Sequence, residues 1–380
     1  SYGKKGEDIV NMNYAAIDNA IAGIEEIKYP ENWATTTEGA EPQYVKGNDY
    51  VNEVISPMIA QKGDDLPVSK FDFAGRFPTG TTKYEKRGIA DYVPKWIPDN
   101  CIQCNQCSLV CPHAVIRPIL IDEGTERPEG FNTVKPIGKG FEGKEYRIQI
   151  SPLDCTGCGN CADICPGRRG EKALVMEEFD SQLEQAELFD FAMKLPENEV
   201  DISSPNVKNS QFLKPLFEFS GACAGCGETP YVKLVTQLFG DRIVIANATG
   251  CSSIYGGSAP TVQYTVNDKG YGPTWANSLF EDNAEFGFGM ALSYKQRRDN
   301  IERIMTEALG NASADAKEAF TAWLENKDSA EGSKEASKKV CEVLDKQADK
   351  YPELDKARDM LVKKSVWIIG GDGWAYDIGY

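Results

Sequence analysis

Two stretches of the chain repeat one cysteine spacing, and this repeat constrains the fold more than any other feature. In each copy three cysteines are separated by two residues, a fourth follows after three more, and a proline comes next. The first copy contains Cys101, Cys104, Cys107 and Cys111, and the second contains Cys155, Cys158, Cys161 and Cys165. Thiols at such close spacing are typical of metal ligands rather than of disulfide partners. We therefore expect this segment to fold around metal.

The spacing is that of bacterial-type ferredoxin runs, in which three cysteines ligate one [4Fe–4S] cluster and the fourth ligates its neighbour. We predict one cluster on Cys101, Cys104, Cys107 and Cys165, and a second on Cys155, Cys158, Cys161 and Cys111. Two structural zinc sites are the alternative, because Cys-x-x-Cys pairs also bind zinc. Structural zinc usually takes two well-separated pairs, whereas here a third cysteine follows at once in both copies. The pattern favours iron–sulfur clusters.

The bulk composition narrows the class of protein. A chain of 380 residues is long enough for two or three domains. Its net charge of −17 argues against a nucleic-acid partner. No apolar run approaches a membrane span, and no signal peptide opens the chain, so we predict a reducing cytoplasm. Residues 101–172 carry nine basic and nine acidic side chains, so this segment is neutral. A neutral face would suit docking of an acidic electron carrier, and ordinary variation in surface charge is the alternative.

The first half of the chain contains four further features. Residues 7–28 have the apolar period of an amphipathic helix closed by Pro30, and residues 31–100 read as a connecting region with little regular structure. A hairpin with a strand at Tyr146–Ile150 is expected between the two cysteine runs. His113, the only histidine, is expected in a solvated loop.

After residue 200 the pattern changes to alternating helix and strand. A helix is predicted from Thr229 to Gly240, a strand at 242–246, and exposed helices over 300–362. Ser365–Ile369 is an uninterrupted apolar run, typical of a strand buried in a parallel sheet. The predicted fold class is thus α+β and α/β: a ferredoxin-like domain followed by a partial α/β domain with a parallel sheet.

We divide the chain into four parts on these grounds. They are the C-terminal helix of an upstream domain (1–30), a linker or small wrapping domain (31–92), the ferredoxin-like domain (93–200) and the partial α/β domain (201–380).

Three cysteines in the last part suggest another metal site. Cys223 and Cys226 precede the predicted helix, and Cys251 follows the predicted strand. Loops at these positions form the start of a third [4Fe–4S] site that lacks one ligand. Cys341 is the remaining cysteine, and in its helical context a buried free thiol is the stronger expectation.

A glycine-rich turn follows the apolar strand. Gly371, Asp372 and Gly373 form a weak motif by themselves, and an ordinary tight turn is the alternative. Glycines let a backbone approach a diphosphate, and a carboxylate can hold the bridging Mg²⁺. Because ligands of open α/β sheets bind beyond the carboxyl ends of strands, Cys251 and Asp372 are expected on the same edge of one parallel sheet.

From Thr249 to Met290 the chain reads TGCSSIYGGSAPTVQYTVNDKGYGPTWANSLFEDNAEFGFGM. This stretch resembles the pyruvate:ferredoxin (flavodoxin) oxidoreductases. The order of parts resembles them too: the double cysteine run, CAGCGET, TGCSS and GDG. The resemblance covers essentially all 380 residues.

The resemblance implies an enzyme that oxidatively decarboxylates pyruvate with coenzyme A to acetyl-CoA and CO2. Electrons would pass from thiamine diphosphate through three [4Fe–4S] clusters to ferredoxin or flavodoxin. The implied ligands are Cys223, Cys226 and Cys251 for the cluster nearest the cofactor, and Asp372 for Mg²⁺. The residues implied to face thiamine diphosphate are Glu228, Cys251, Gly371, Asp372, Gly373 and Trp374. A homodimer of the full protein and a cytoplasmic location are further expectations.

Several parts of the family's pattern are missing from these 380 residues. The fourth cysteine of the near cluster and the Asn that completes Mg²⁺ binding would follow Tyr380, and the catalytic Glu and the pyruvate-binding residues would precede Ser1. We therefore expect an internal piece of a longer polypeptide, with no catalytic residue of its own and the remainder of the same enzyme as its partner. The alternative is an autonomous electron-transfer module, which would have no use for Asp372.

Overall fold

The computed structural model describes residues 3–34, 45–197, 206–258 and 260–379. The chain divides into two compact units, residues 1–44 and 45–380. In the first unit helix α1 spans Glu7–Ala22 and ends at Gly23. The predicted helix is therefore present, but its end at Pro30 is wrong, because the chain leaves the helix at the glycine.

The second unit begins with a π-helical turn, Val51–Ile55, that runs into helix α2, Ser56–Ile59. Little other regular structure follows until residue 92, as the Pro- and Gly-rich composition predicts. Strand β1, Tyr92–Trp96, was not predicted. Its central Pro94 disfavours a strand, because proline has no N–H to donate. In the described residues β1 pairs on one side only, with strand β4 (described below), and an edge strand tolerates a proline.

The ferredoxin-like part contains two antiparallel strand pairs, two short helices of five residues each and a third, longer helix. Its elements are α3 (Gln106–Val110), β2 (Ile116–Asp122), β3 (Lys144–Ile150), α4 (Asn160–Ile164), β4 (Leu174–Glu178) and α5 (Gln185–Ala192). β1 pairs with β4 and β2 pairs with β3, so the predicted hairpin between the cysteine runs is confirmed. Each short helix begins just before the third cysteine of its run.

The α/β part contains a parallel sheet. Its elements are α6 (Val207–Ser210), α7 (Thr229–Phe239), β5 (Ile243–Asn247), α8 (Cys251–Ser253), β6 (Thr274–Asn277) and β7 (Ser365–Ile369). The strand order is β6-β5-β7 and both pairings are parallel. β7 has the predicted bounds, but its residues are half-buried rather than buried, because β7 is an edge strand of the described sheet.

Four helices intervene between β6 and β7. They are α9 (Asn283–Ala308), α10 (Ala314–Asn326), α11 (Ala330–Gln347) and α12 (Pro352–Asp355). The prediction of merely exposed helices is wrong in one respect. The inward stripes of these helices, rich in small and apolar residues, enclose a hydrophobic core centred on Phe320, Trp323, Val340 and Leu344.

Short helical turns connect these elements. The 3₁₀ turns are Gly3–Lys5, Glu31–Ala34, Gly63–Asp65, Val68–Lys70, Thr82–Tyr84, Pro98–Asn100, Phe179–Gln182, Gly240–Arg242, Ala348–Lys350 and Arg358–Met360, and further π-helical turns are Ile254–Ser258 and Trp374–Gly379. The domain boundaries predicted from the sequence stay predictions, and the one at 200 lies outside the described residues.

Buried polar contacts join the ferredoxin-like and α/β parts of the second unit. Arg117 on β2 donates to the carboxylate of Glu218 at 2.5 Å, and both side chains are buried. Ser108 on α3 donates to Gln211 at 3.1 Å. Since unpaired buried polar groups are costly, these bonds fix how the two parts pack.

Candidate functional site

The eight cysteines of the two runs line two cavities. The first cavity is lined by Cys101, Cys104, Cys107 and Cys165, and the second by Cys111, Cys155, Cys158 and Cys161. The fourth cysteine of each run thus crosses to the cavity formed by the other run, as the sequence predicts. Each cavity has a volume of about 20 Å³. The structure groups the thiols in the two predicted sets of four.

Matching backbone turns shape the two cavities. Gln103 and Asn105 have φ of 57° and 59°, and the equivalent positions of the second run, Gly157 and Gly159, have φ of 71° and 80°. These left-handed residues curl the chain so that its amides point inward. The N–H of Gln103 and that of Gly157 each lie 3.4 Å from the sulfur of the first cysteine of their run.

Burial raises the pKa values of several of these thiols. It raises the pKa of Cys155 to about 12, and it raises those of Cys101, Cys107 and Cys161, with neighbouring thiols adding to the effect. Four thiolates crowded in one cavity would repel each other, so they need cationic metal to be held together in that form.

The polar atoms around the cavities fit an iron–sulfur cluster. The indole N–H of Trp96 lines the first cavity and the hydroxyl of Thr156 lines the second, and both are buried without a nitrogen or oxygen partner among the described residues. Sulfur atoms of a cluster accept hydrogen bonds from such donors. In the described residues, no group of three or more Cys, His, Asp or Glu side chains converges closely enough to hold a single metal ion.

The predicted near-cluster cysteines lie on two loops of the α/β part. Cys223 and Cys226 form one turn, in which the N–H of Cys226 donates to the carbonyl of Cys223 at 3.1 Å. Cys251 begins α8 just after β5. Tyr255, one helical turn after Cys251, lies beside Glu228 and Cys226, which together with burial raise the pKa of its hydroxyl. Tyr255 therefore links the two loops.

The loop that carries Cys223 and Cys226 packs against the second cavity. A Cβ atom built on Gly225 would lie 3.6 Å from the Cβ of Cys158, and φ of Gly225 is +73°. The second cavity is thus the neighbour of the near-cluster loop.

His113 is buried at the same junction, with 2% of its surface exposed. The prediction of a solvated loop histidine is therefore wrong. Its Nδ1 lies 3.0 Å from the carbonyl of Ser220, and the ring lines the second cavity. Burial lowers the pKa of His113. The sequence could not reveal this, because the covering segment comes from more than 100 residues away.

The glycine-rich turn lies directly beyond β7. Because β5 and β7 are adjacent and parallel, Cys251 and Asp372 follow the carboxyl ends of neighbouring strands, as predicted. Asp372 is exposed, and Cβ atoms built on Gly371 and Gly373 would meet no atom of the described residues within 4 Å. Trp374 is buried instead and packs over Gly370, where a Cβ would lie 2.3 Å from its ring. Open glycines beside a carboxylate fit an approaching diphosphate.

Cys341 lies on α11 and packs against the core of the four-helix segment. It is half-buried, and burial raises the pKa of its thiol. The thiol is thus less buried than expected, and its assignment as a free cysteine rather than as the fourth ligand of the near cluster stays a prediction.

One buried cation was missed by the sequence reading. Lys233 on α7 is 1% exposed, and its ammonium group contacts the carbonyl oxygens at the end of α3. Burial lowers the pKa of Lys233 to about 8, while the nearby Cys111 opposes that effect. The sequence does contain an indication of this burial, because Lys233 lies among the apolar residues Val232, Leu234 and Val235 of the predicted helix.

Family models define the class of the central domain. Residues 100–168 match the model of a 4Fe-4S dicluster domain. Residues 297–351 match the insertion domain of pyruvate-ferredoxin oxidoreductase, and residues 36–90 match a domain of unknown function called EKR. The insertion match coincides with the helices between β6 and β7.

Whole-chain relatives narrow the class further. The chain is 54% identical to pyruvate:ferredoxin oxidoreductase of Moorella thermoacetica, 49% identical to pyruvate-flavodoxin oxidoreductase of Klebsiella pneumoniae and 46% identical to mitochondrial pyruvate dehydrogenase [NADP(+)] of Euglena gracilis. Each alignment covers all of this chain, and it covers 33%, 33% and 21% of the length of the three relatives, respectively. The whole chain is therefore homologous to a segment of the pyruvate:ferredoxin and pyruvate-flavodoxin oxidoreductases, and this segment makes up about a third of their length. The resemblance inferred from the sequence is confirmed.

In the described ranges, none of the helices combines the length and the apolar character that crossing a membrane would require.

Proposed function

We propose that this chain is the electron-transfer segment, with part of the thiamine diphosphate site, of an enzyme that oxidatively decarboxylates pyruvate. The products are acetyl-CoA and CO2, and ferredoxin or flavodoxin is the electron acceptor. The observation that carries the proposal is the grouping of eight cysteines into two cavities, in a chain that matches pyruvate oxidoreductases from end to end.

When bound, thiamine diphosphate with Mg²⁺ would supply the decarboxylation chemistry, and three [4Fe–4S] clusters would accept electrons one at a time. The near cluster is assigned to Cys223, Cys226 and Cys251. Asp372 would hold Mg²⁺, and the backbone of Gly371 and Gly373 leaves room for the diphosphate. Glu228 and Cys251 would complete the part of the cofactor surface that this chain supplies, while Trp374 is buried behind the turn, against Gly370.

The packing of Gly225 on Cys158 supports an order for the clusters. The cysteines of the second cavity would hold the cluster that is nearer to the near-cluster loop, since Gly225 of that loop lies against Cys158. The cysteines of the first cavity would hold the cluster farther along the electron path. Ile102, next to Cys101, lines the first cavity and is 41% exposed, so this cavity lies close to the surface, and we propose that an external carrier approaches there.

This chain's own residues position the clusters and exclude water. Thiols, inward amides and the buried donors Trp96 and Thr156 surround each cluster with fixed dipoles. Burial of Cys155 and Cys161 keeps the second site dry, which suits a site that hands electrons only to neighbouring clusters.

The polypeptide that carries this chain, purified without oxygen, tests the proposal. Iron and acid-labile sulfide should amount to about eight or about twelve atoms of each per chain, for two or three clusters. Pyruvate and coenzyme A together should reduce added ferredoxin or flavodoxin, and omission of coenzyme A should slow that reduction. Two tightly bound zinc ions in place of iron would contradict the proposal.

Binding of thiamine diphosphate distinguishes the proposed enzyme from the alternative, an autonomous electron carrier. An electron carrier predicts iron and sulfide but no affinity for thiamine diphosphate with Mg²⁺. The enzyme predicts a binding isotherm that weakens when Mg²⁺ is chelated. A cytoplasmic location and a homodimer of the full protein are proposed with the function.

A further inference from the structure

Lys233 places a buried cation between the two cysteine-lined cavities. Its amine group contacts three backbone carbonyls of the ferredoxin-like part: that of Ser108, that of Leu109 at 3.1 Å and that of Cys111 at 3.4 Å. An ammonium group has three N–H donors, so these three acceptors match its protonated form. Lys233 itself belongs to α7 of the α/β part.

The contacted carbonyls belong to the segment from Ser108 to Cys111, which follows a cysteine of the first cavity and ends at a cysteine of the second. Cys107, which lines the first cavity, and Cys111, which lines the second, both lie close enough to interact electrostatically with Lys233. Arg117 also lies nearby, but its charge is matched by Glu218 at 2.5 Å. Lys233 has no carboxylate partner among the described residues. Its charge is therefore directed at whatever the two cavities hold.

A purely structural role does not account for the charge. α3 has five residues, and its last carbonyls could be satisfied by a neutral donor, as Asn105 does when its amide donates to the carbonyl of Lys208 at 2.9 Å. Burying an ammonium ion costs more free energy than burying an amide. The chain nevertheless places a lysine here.

A buried cation has a clear effect on a redox centre. A [4Fe–4S] cluster with four thiolates is anionic, and reduction makes it more negative. A nearby positive charge in a low dielectric stabilises the reduced form, and charge near a cluster is one of the factors that set its reduction potential.

We propose that Lys233 raises the reduction potentials of both ferredoxin-type clusters, and so lets the α/β part of the chain tune the electron path. This inference rests on the proposed function for the identity of the clusters. It makes Lys233 a residue that sets potentials and takes no part in ligation.

The test is a redox titration of the oxygen-free holoprotein, followed by electron paramagnetic resonance and poised chemically without pyruvate. In Lys233→Gln, which keeps amide donors but removes the charge, the midpoint potentials of both clusters should shift to more negative values. Lys233→Arg should keep potentials near those of the unchanged protein. Lys338→Gln, which removes an exposed lysine on α11, should shift neither.

Unchanged potentials in a Lys233→Gln protein that retains both clusters would overturn the inference. Loss of the clusters in both Lys233→Gln and Lys233→Arg would overturn it in favour of a role in folding alone. Failure of the cluster assignment on which the inference rests looks different, because the unchanged protein would then show no cluster signals at all.

Discussion

The guanidinium of Arg117 donates to the carboxylate of Glu218 at 2.5 Å, and both side chains are more than nine-tenths buried. The pair joins β2 of the ferredoxin-like part to the strand-like segment that precedes Cys223. Because a charge left alone at this depth is strongly destabilising, removal of either side chain should loosen the contact between the two parts.

Glu218→Gln should therefore lower the free energy of unfolding by about 3–5 kcal/mol. Glu307→Gln removes the carboxylate of the exposed pair with Arg303, and should cost no more than about 1 kcal/mol. Denaturant unfolding of the two variants under anaerobic conditions, followed by the visible absorbance of the clusters, measures the difference. Equal effects would show that the buried pair has no special role.

Cys251→Ala should remove or weaken the near cluster while sparing the two ferredoxin-type clusters, because Cys251 lies on a loop apart from both cavities. Cys341→Ala is the matched control, since Cys341 packs in the core of the four-helix segment. Iron content and paramagnetic resonance of both variants give the answer. Retention of all cluster signals in Cys251→Ala, or loss of one in Cys341→Ala, would contradict the assignment.

Gly225→Ala should slow electron transfer from the near cluster to the cluster of the second cavity. Its φ of +73° is strained for a side chain by about 1–2 kcal/mol, so the loop would shift away from Cys158. Gly227→Ala is the control, because its Cβ would meet open space and its φ is not in the left-handed region. Rapid mixing with pyruvate and coenzyme A resolves the step. Unchanged kinetics in Gly225→Ala would mean that the contact does not matter.

Trp323→Ala should destabilise the four-helix segment by about 3–5 kcal/mol, since the side chain is fully buried in that segment's own core. When the Trp323→Ala protein is heated, the amides of these helices should lose their protection from hydrogen exchange at temperatures where the clusters still keep their visible spectra. Hydrogen exchange read by mass spectrometry separates the two regions. Simultaneous loss of helices and clusters would show that the segment is not an independent folding unit.

Asp372→Asn should weaken Mg²⁺-dependent binding of thiamine diphosphate, because the amide is a poorer ligand for Mg²⁺ than the carboxylate. Asp349→Asn, an exposed acid in the four-helix segment, should leave binding unchanged. Calorimetric titration with thiamine diphosphate in the presence and absence of Mg²⁺ tests this. Equal affinity in the Asp372→Asn protein would remove Asp372 from the cofactor site.

The sequence predicted those parts of the fold that depend on local pattern. Ser365–Ile369 was placed at its true bounds because an apolar run followed by glycines specifies both ends. The cysteine grouping followed from spacing alone. In contrast, β1, the burial of His113 and the contacts of Lys233 depend on partners far along the chain, which no local period can reveal. The half-burial of β7 likewise depends on what lies beside an edge strand.

The position of the four helices between β6 and β7 has a consequence for the order of folding. β5 pairs with β7 through Ile243 and Ser365, so one side of the sheet must wait for the whole helical segment to be synthesised. Pairings of such long sequence separation form slowly. On the ribosome, the residues after β7 emerge well after the cysteine-rich part, which has by then been exposed to the cell's iron–sulfur supply. Metal loading can thus precede completion of the sheet edge that carries Asp372.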